Sequence, residues 1–126
     1  MGKMILPFPQ SVNHYLEYYC ERSTRWDVHP VRTRLTAKAK QFKHDAGWEA
    51  KAAGVRVHDG RVAVLVEVYP DGRPVDLDNM LKLIMDSLEN IAYNNDNQVD
   101  DLHIIRRPRV KSRRIEVTVT PLEQAN

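Results

Sequence analysis

The chain has one cysteine, Cys20, in 126 residues, which excludes an internal disulfide and any cysteine-built zinc site, since each needs a second thiolate. Nothing around Cys20 marks it as a nucleophile, and it reads as inert. Long apolar runs are missing too. The longest, Val62 to Val68, is far below the roughly 20 residues of a membrane span and contains Glu67. The apolar part of the N-terminus is too short for a secretory signal, and Leu6 stands where a myristoylation motif needs Ser or Thr. The expectation is a cytoplasmic protein with no membrane partner. Only five glycines are present and none forms a GxxxxGK[ST] or GxGxxG loop, so no nucleotide cofactor is expected. Repeats, low-complexity tracts and interdomain linkers are also lacking, which predicts a single domain over residues 1–126.

Net charge is nearly absent as well, at +2, but it is unevenly spread. Between Asp71 and Asp101 eight acids face two bases, a net of −6, so the remainder carries +8. An acidic island in a basic frame points to a polyanion partner.

Of what is present, Met4 to Leu6 reads as a short strand stopped by Pro7 and Pro9. Gln10 to Arg34 is polar and aromatic without clear period; Tyr15, Tyr18 and Tyr19 read as a helical turn or a loop, and Trp26, His29, Arg32 and Arg34 as a second basic and aromatic stretch. Leu35 to Ala53 has helical apolar spacing, with Gly54 as its C-terminal cap and Lys40 and Lys43 on a basic face. Asp59-Gly60 predicts a hairpin between Val55–His58 and Arg61–Tyr69. The second of these runs is expected to be buried on both sides. A helical stripe runs from Leu77 through Leu81, Ile84 and Leu88 to Ile91, broken by Asn94–Asn97. Strands are predicted near Leu102–Arg106 and Ile115–Thr120. Interleaved strands and helices define the expected fold class: α/β in the mixed, α+β sense, a small mixed sheet with helices packed on it.

The chemistry concentrates in Asp76-Leu77-Asp78-Asn79, with Lys82 one turn on and Asp96 eighteen residues beyond Asp78. Carboxylates at i and i+2 converge only where the chain is extended, so Asp76 and Asp78 come together if a helix begins at or just after Asp78. Either can cap that helix. Asp96 needs a return of the chain to join them. Three convergent carboxylates repel unless a cation sits among them, and an oxygen-only donor set suits Mg2+ or Mn2+ better than zinc. An EF-hand is excluded: counting from Asp76, Leu81 stands where Gly is needed and Ser87 where Glu is needed. Lys82 has two readings, an ion-pair partner of Asp78 and Asp86 or a cation for a phosphate oxygen. The stretch Arg106 to Arg114 holds six bases, Arg106, Arg107, Arg109, Lys111, Arg113 and Arg114; beside a metal-binding cluster it reads as a phosphate-binding surface for DNA, while Lys40 and Lys43 read either as an ordinary solvated face or as an extension of that DNA-binding surface.

These residues resemble a known family. Asp76-Leu77-Asp78-Asn79-x-x-Lys82-x-x-x-Asp86-x-Leu88, then Tyr93-x-x-Asp96-x-Gln98-Val99, is similar to the RusA family of Holliday junction resolvases of phages and prophages. Pro7-x-Pro9-x-Ser11-Val12-Asn13-His14-Tyr15 resembles its other signature. The chain departs from the pattern at Asn95, where the family often has a second acid, and at Gln10, where it often has Pro. By position, the resemblance implies that Asp76, Asp78 and Asp96 bind the metal and that Lys82 is catalytic. It further implies a homodimer that binds four-way junction DNA and makes paired, symmetric nicks with magnesium, or manganese in its place. One cluster per chain agrees, since two symmetric cuts need two chains about a two-fold axis. The competing expectations are a non-catalytic branched-DNA-binding protein and a nuclease acting on flaps or forks.

Overall fold

The computed structural model describes residues 2–9, 16–20, 31–35 and 37–122, with backbone alone at 16–20 and 31–35. In chain order the elements are β1 (Gly2–Leu6), β2 (Leu16–Cys20), β3 (Val31–Leu35), α1 (Ala37–Ala52), β4 (Val62–Tyr69), α2 (Leu77–Leu88), a 3-10 turn at Asp96–Gln98, β5 (Val99–Arg106) and β6 (Arg114–Pro121). Four strands form one mixed sheet in the order β1-β6-β4-β5, and β2 and β3 pair separately as an antiparallel ribbon. Only the β4–β5 pair is parallel. A parallel pair needs a crossover rather than a hairpin, and α2 is that crossover. The helix proposed to carry the chemistry is therefore clamped between two neighbouring strands.

One face of the sheet holds the core. Val62, Val64, Val66 and Val68 of β4, Ile115, Val117 and Val119 of β6, and Met4 and Leu6 of β1 are fully buried beneath Ala39, Phe42, Ala46 and Ala50 of α1 and Met80, Leu83, Ile84 and Leu88 of α2. The opposite face of β4 is half-buried instead of buried, because its positions include Glu67 and Tyr69, whose polar ends need partners or water. Glu67 takes the guanidinium of Arg107 at 2.9 Å, and Arg114 lies 4.0 Å above the Tyr69 ring.

Other expectations change. No hairpin forms at Asp59-Gly60: both edges of β4 are taken, by β6 and β5, so no place remains for a strand at 55–58. His58 instead bridges to Tyr93 and donates its backbone N–H to the carbonyl of Ala92. Tyr18 and Tyr19 lie in β2, neither helix nor loop, and Arg32 and Arg34 lie in β3, whose Val31, Thr33 and Leu35 alternate with them. Tyr15, Trp26 and His29 fall outside the described residues. α1 starts after Leu35, and Gly54 caps it with φ 74. α2 stops at Leu88, well before Asn94, where Asn90 takes φ 66 and turns the chain. None of the helices formed by the described residues is long and apolar enough to cross a membrane.

Candidate active site

α2 begins at Leu77 because Asp76 caps it. Asp76 is extended (φ −98, ψ 105), and its Oδ1 accepts the backbone N–H of Asp78 at 3.1 Å and of Asn79 at 3.5 Å. Its Oδ2 accepts the Asn79 side-chain amide at 3.1 Å. The carboxylate is thereby held at the positive end of the helix dipole, which offsets repulsion from Asp78 in the first turn. Both aspartates are exposed. Lys82, also exposed, follows Asp78 by one turn, and among the described residues no carboxylate lies within salt-bridge distance of its ammonium. The ion-pair reading of Lys82 is not realised.

Asp96 stands elsewhere. Its carboxylate groups with those of Asp86 and Glu89, with one oxygen from each lying within 4.8 Å of the other two. Asp86 is eight residues beyond Asp78, about 12 Å along a helix rising 1.5 Å per residue. Within one chain the structure thus brings Asp76 and Asp78 together at one end of α2 and sets Asp96 at the other, with Lys82 between. Asp86 and Glu89 were not singled out as ligands from the sequence; the available signal was their i, i+3 spacing on the polar stripe. Three carboxylates form an oxygen-only donor set, the kind that hard divalent cations take.

The turn carrying Asp96 is fixed by two buried side chains. Gln98 Oε1 accepts the backbone N–H groups of Asn94 and Asn95, and Nε2 donates to the carbonyls of His58 and Gly60. Asn95 completes a capping box over the 3-10 turn. Tyr93 donates its hydroxyl to the Met85 carbonyl at 2.7 Å. Burial, and then the charges of Asp96, Glu89 and Asp86, push the Tyr93 phenol far up, so it remains a donor.

At the other end, the basic stretch folds against the loop that leads into Asp76. The backbone N–H of Arg107 bonds the Val68 carbonyl and that of Val110 the Pro70 carbonyl, both at 2.8 Å, while Arg106 donates to the Val75 carbonyl at 2.9 Å. Gly72, at φ 108, leaves room for the Arg109 guanidinium, which would lie 2.8 Å from a Cβ. Asp71 is bound by Arg73 through side-chain and backbone N–H groups, which lower its carboxyl to about 2. The six bases are not equivalent: Arg107 pairs with Glu67, Arg114 reaches Glu116 at 3.4 Å, and Arg113 covers the Phe8 ring at 4.5 Å. Arg106, Arg109 and Lys111 stand exposed. Lys40 is exposed and Lys43 half-buried on α1.

A mixed α+β sheet whose crossover helix displays carboxylates and a lysine beside a basic loop defines a class of protein suited to work on phosphodiesters. Residues 17–120 match the family described as Endodeoxyribonuclease RusA, and the chain belongs to that family. It is 31% identical over 125 residues to the crossover junction endodeoxyribonuclease RusA of Enterobacteria phage HK97, covering 96% of this chain and 95% of the relative. It is 28% identical over 120 residues to the enzyme of that name from Escherichia coli strain K12, covering 93% and 92%. The corresponding protein of Enterobacteria phage 82 is 27% identical over 120 residues, with the same coverage.

Proposed function

We propose that this chain is a structure-selective endodeoxyribonuclease that resolves four-way junctions by paired symmetric nicks, acting as a homodimer with Mg2+ or Mn2+ in the cytoplasm of a bacterium or phage-infected cell. The observation that carries the reading is the exposed start of α2, where Asp76 and Asp78, with Lys82 one turn on and no carboxylate within salt-bridge distance of it among the described residues, lie beside the basic loop in a chain of this family. Asp76 and Asp78 at one end and Asp96 at the other, joined there by Asp86 and Glu89, are the proposed ligands. When bound, a divalent ion supplies an activated water and screens charge on the phosphate and leaving oxygen.

The chain does the rest. Hydrogen bonds to both oxygens of Asp76 fix its carboxylate at the start of the helix. Lys82, with no competing carboxylate among the described residues, meets the negative charge that grows on the phosphoryl oxygens as the bond breaks. Arg106, Arg109 and Lys111, with Lys40 and Lys43, hold the junction arms by their phosphates, giving affinity without sequence dependence.

Labelled four-way, three-way and linear duplexes, with and without magnesium, test the reading. Symmetric nicks in the four-way junction that require the metal are expected, and Asp76→Asn, Asp78→Asn and Asp96→Asn should each abolish them while junction binding survives. Junction binding indifferent to magnesium with no product from any substrate would leave a non-catalytic binder. Nicks confined to the three-way substrate would leave a nuclease of other branched DNA.

A further inference from the structure

Arg106 is the last residue of β5, and it points away from the half-buried outer face of the sheet towards the start of α2. Its Nη2 donates to the carbonyl of Val75, the residue directly before Asp76, at 2.9 Å. Val75 is half-buried and packs against the core, so the peptide leading into Asp76 is held on both sides, by apolar contact from its side chain and by a charged donor at its carbonyl. The neighbouring loops are joined by the Arg107–Val68 and Val110–Pro70 backbone bonds. A guanidinium is disfavoured at the positive end of a helix. Here it sits one residue before the cap of α2, with Asp76 and Asp78 to offset it. A cation whose only task was to meet DNA would have no need of that place.

We propose that Arg106 is a positioning residue for Asp76: it fixes the Val75–Asp76 peptide and so aims the Asp76 carboxylate, linking the basic loop to the Asp76–Asp78 end of α2. The proposal rests on the reading of Asp76 as a ligand. One guanidinium N–H is committed to Val75, and the remaining donors stay available to a phosphate, so the same side chain can be tightened by bound DNA while it holds the ligand loop.

Arg106→Gln and Arg106→Lys separate this role from simple phosphate contact. Three readouts are needed: the Mn2+ binding that Asp76→Asn abolishes, by calorimetry on the protein without DNA, metal-free junction binding, and single-turnover cleavage, with thermal melting as the control for folding. Loss of an outer-shell partner of this kind lowers metal affinity or activity by about 10- to 100-fold, and Arg106→Gln should fall in that range for Mn2+ binding and for cleavage. Its junction affinity should change by no more than about tenfold, the loss of one phosphate contact. Arg106→Lys keeps the charge but offers a single, mobile donor; it should recover junction affinity fully and Mn2+ binding in part. Unchanged Mn2+ binding in Arg106→Gln, with the loss confined to junction affinity, overturns the proposal and leaves Arg106 as a DNA contact. If Arg106→Gln melts early, Arg106→Lys decides: full junction affinity with normal Mn2+ binding and cleavage also overturns it. Retained cleavage by Asp76→Asn would instead remove the parent reading, whatever Arg106 does.

Discussion

Asp76 has two tasks that substitution can pull apart. Asparagine caps a helix about as well as aspartate, whereas alanine costs about 1 kcal/mol. Asp76→Asn should therefore melt like the unaltered protein and Asp76→Ala a few degrees lower, while both lose cleavage; melting curves beside a nicking assay check this. Gln98 is the complementary case, a buried amide with no proposed chemistry and four backbone partners. Removing it strands two N–H groups and two carbonyls, and Gln98→Ala should cost about 2–4 kcal/mol in a denaturant titration. Cleavage should fall with it, because the turn that carries Asp96 is then left with one side-chain bond to the 58–60 bend among the described residues, from the Asn94 amide to the Asp59 carboxylate at 3.3 Å.

The loop from Arg106 to Arg114 shows that an element's charge is not the same as its binding capacity. Lys111 is exposed, and Lys111→Ala should reduce the slope of log affinity against log salt by about 1. Arg107 is held by Glu67, so Arg107→Ala should leave that slope unchanged and lower the melting temperature instead. How much of these elements could be read beforehand follows from where the signals are local. β4, with valines at every second position, and α2, with an acid before an apolar stripe, declare themselves within a dozen residues. The Val31–Leu35 alternation is equally local but too short to stand out from the aromatic stretch before it. Asp59-Gly60 is a sound turn signal, yet hairpin formation depends on an unpaired edge of β4, which only the assembled sheet decides. Asp96 was legible as a site residue and not as a neighbour of Asp86 and Glu89, because its place depends on Asn90 turning the chain and on Gln98 reaching back to residues 58 and 60.

For the molecule as a whole, the near-neutral charge hides a pH dependence with a definite sign. The side-chain hydrogen bond from Lys3, first, and then that of Tyr69 and the nearby charges of Lys3 and Arg114 hold the Glu116 carboxyl below its ordinary 4.5. A carboxyl lowered in the folded state stabilises fully above its unfolded value and loses that contribution as pH falls through the folded one. Asp71 follows the same rule between 3.8 and about 2. The melting temperature should therefore drop on acidification below about pH 4.5, and Glu116→Gln should flatten the first part of that drop. Charge also bears on binding: a divalent ion changes the acidic island from −6 to about −4, so junction affinity should rise when metal is added to a variant that retains a metal site but cannot cut, such as Lys82→Ala.

The crossover also orders events during synthesis. β4 and α2 leave the ribosome before β5, and neither Arg106 nor the Asp96 turn exists in the folded sense until β5 has paired beside β4. A nascent chain that has made Asp76, Asp78 and Lys82 thus carries part of the proposed site on a helix whose second flanking strand has yet to pair. The proposed site is complete only with the last third of the chain.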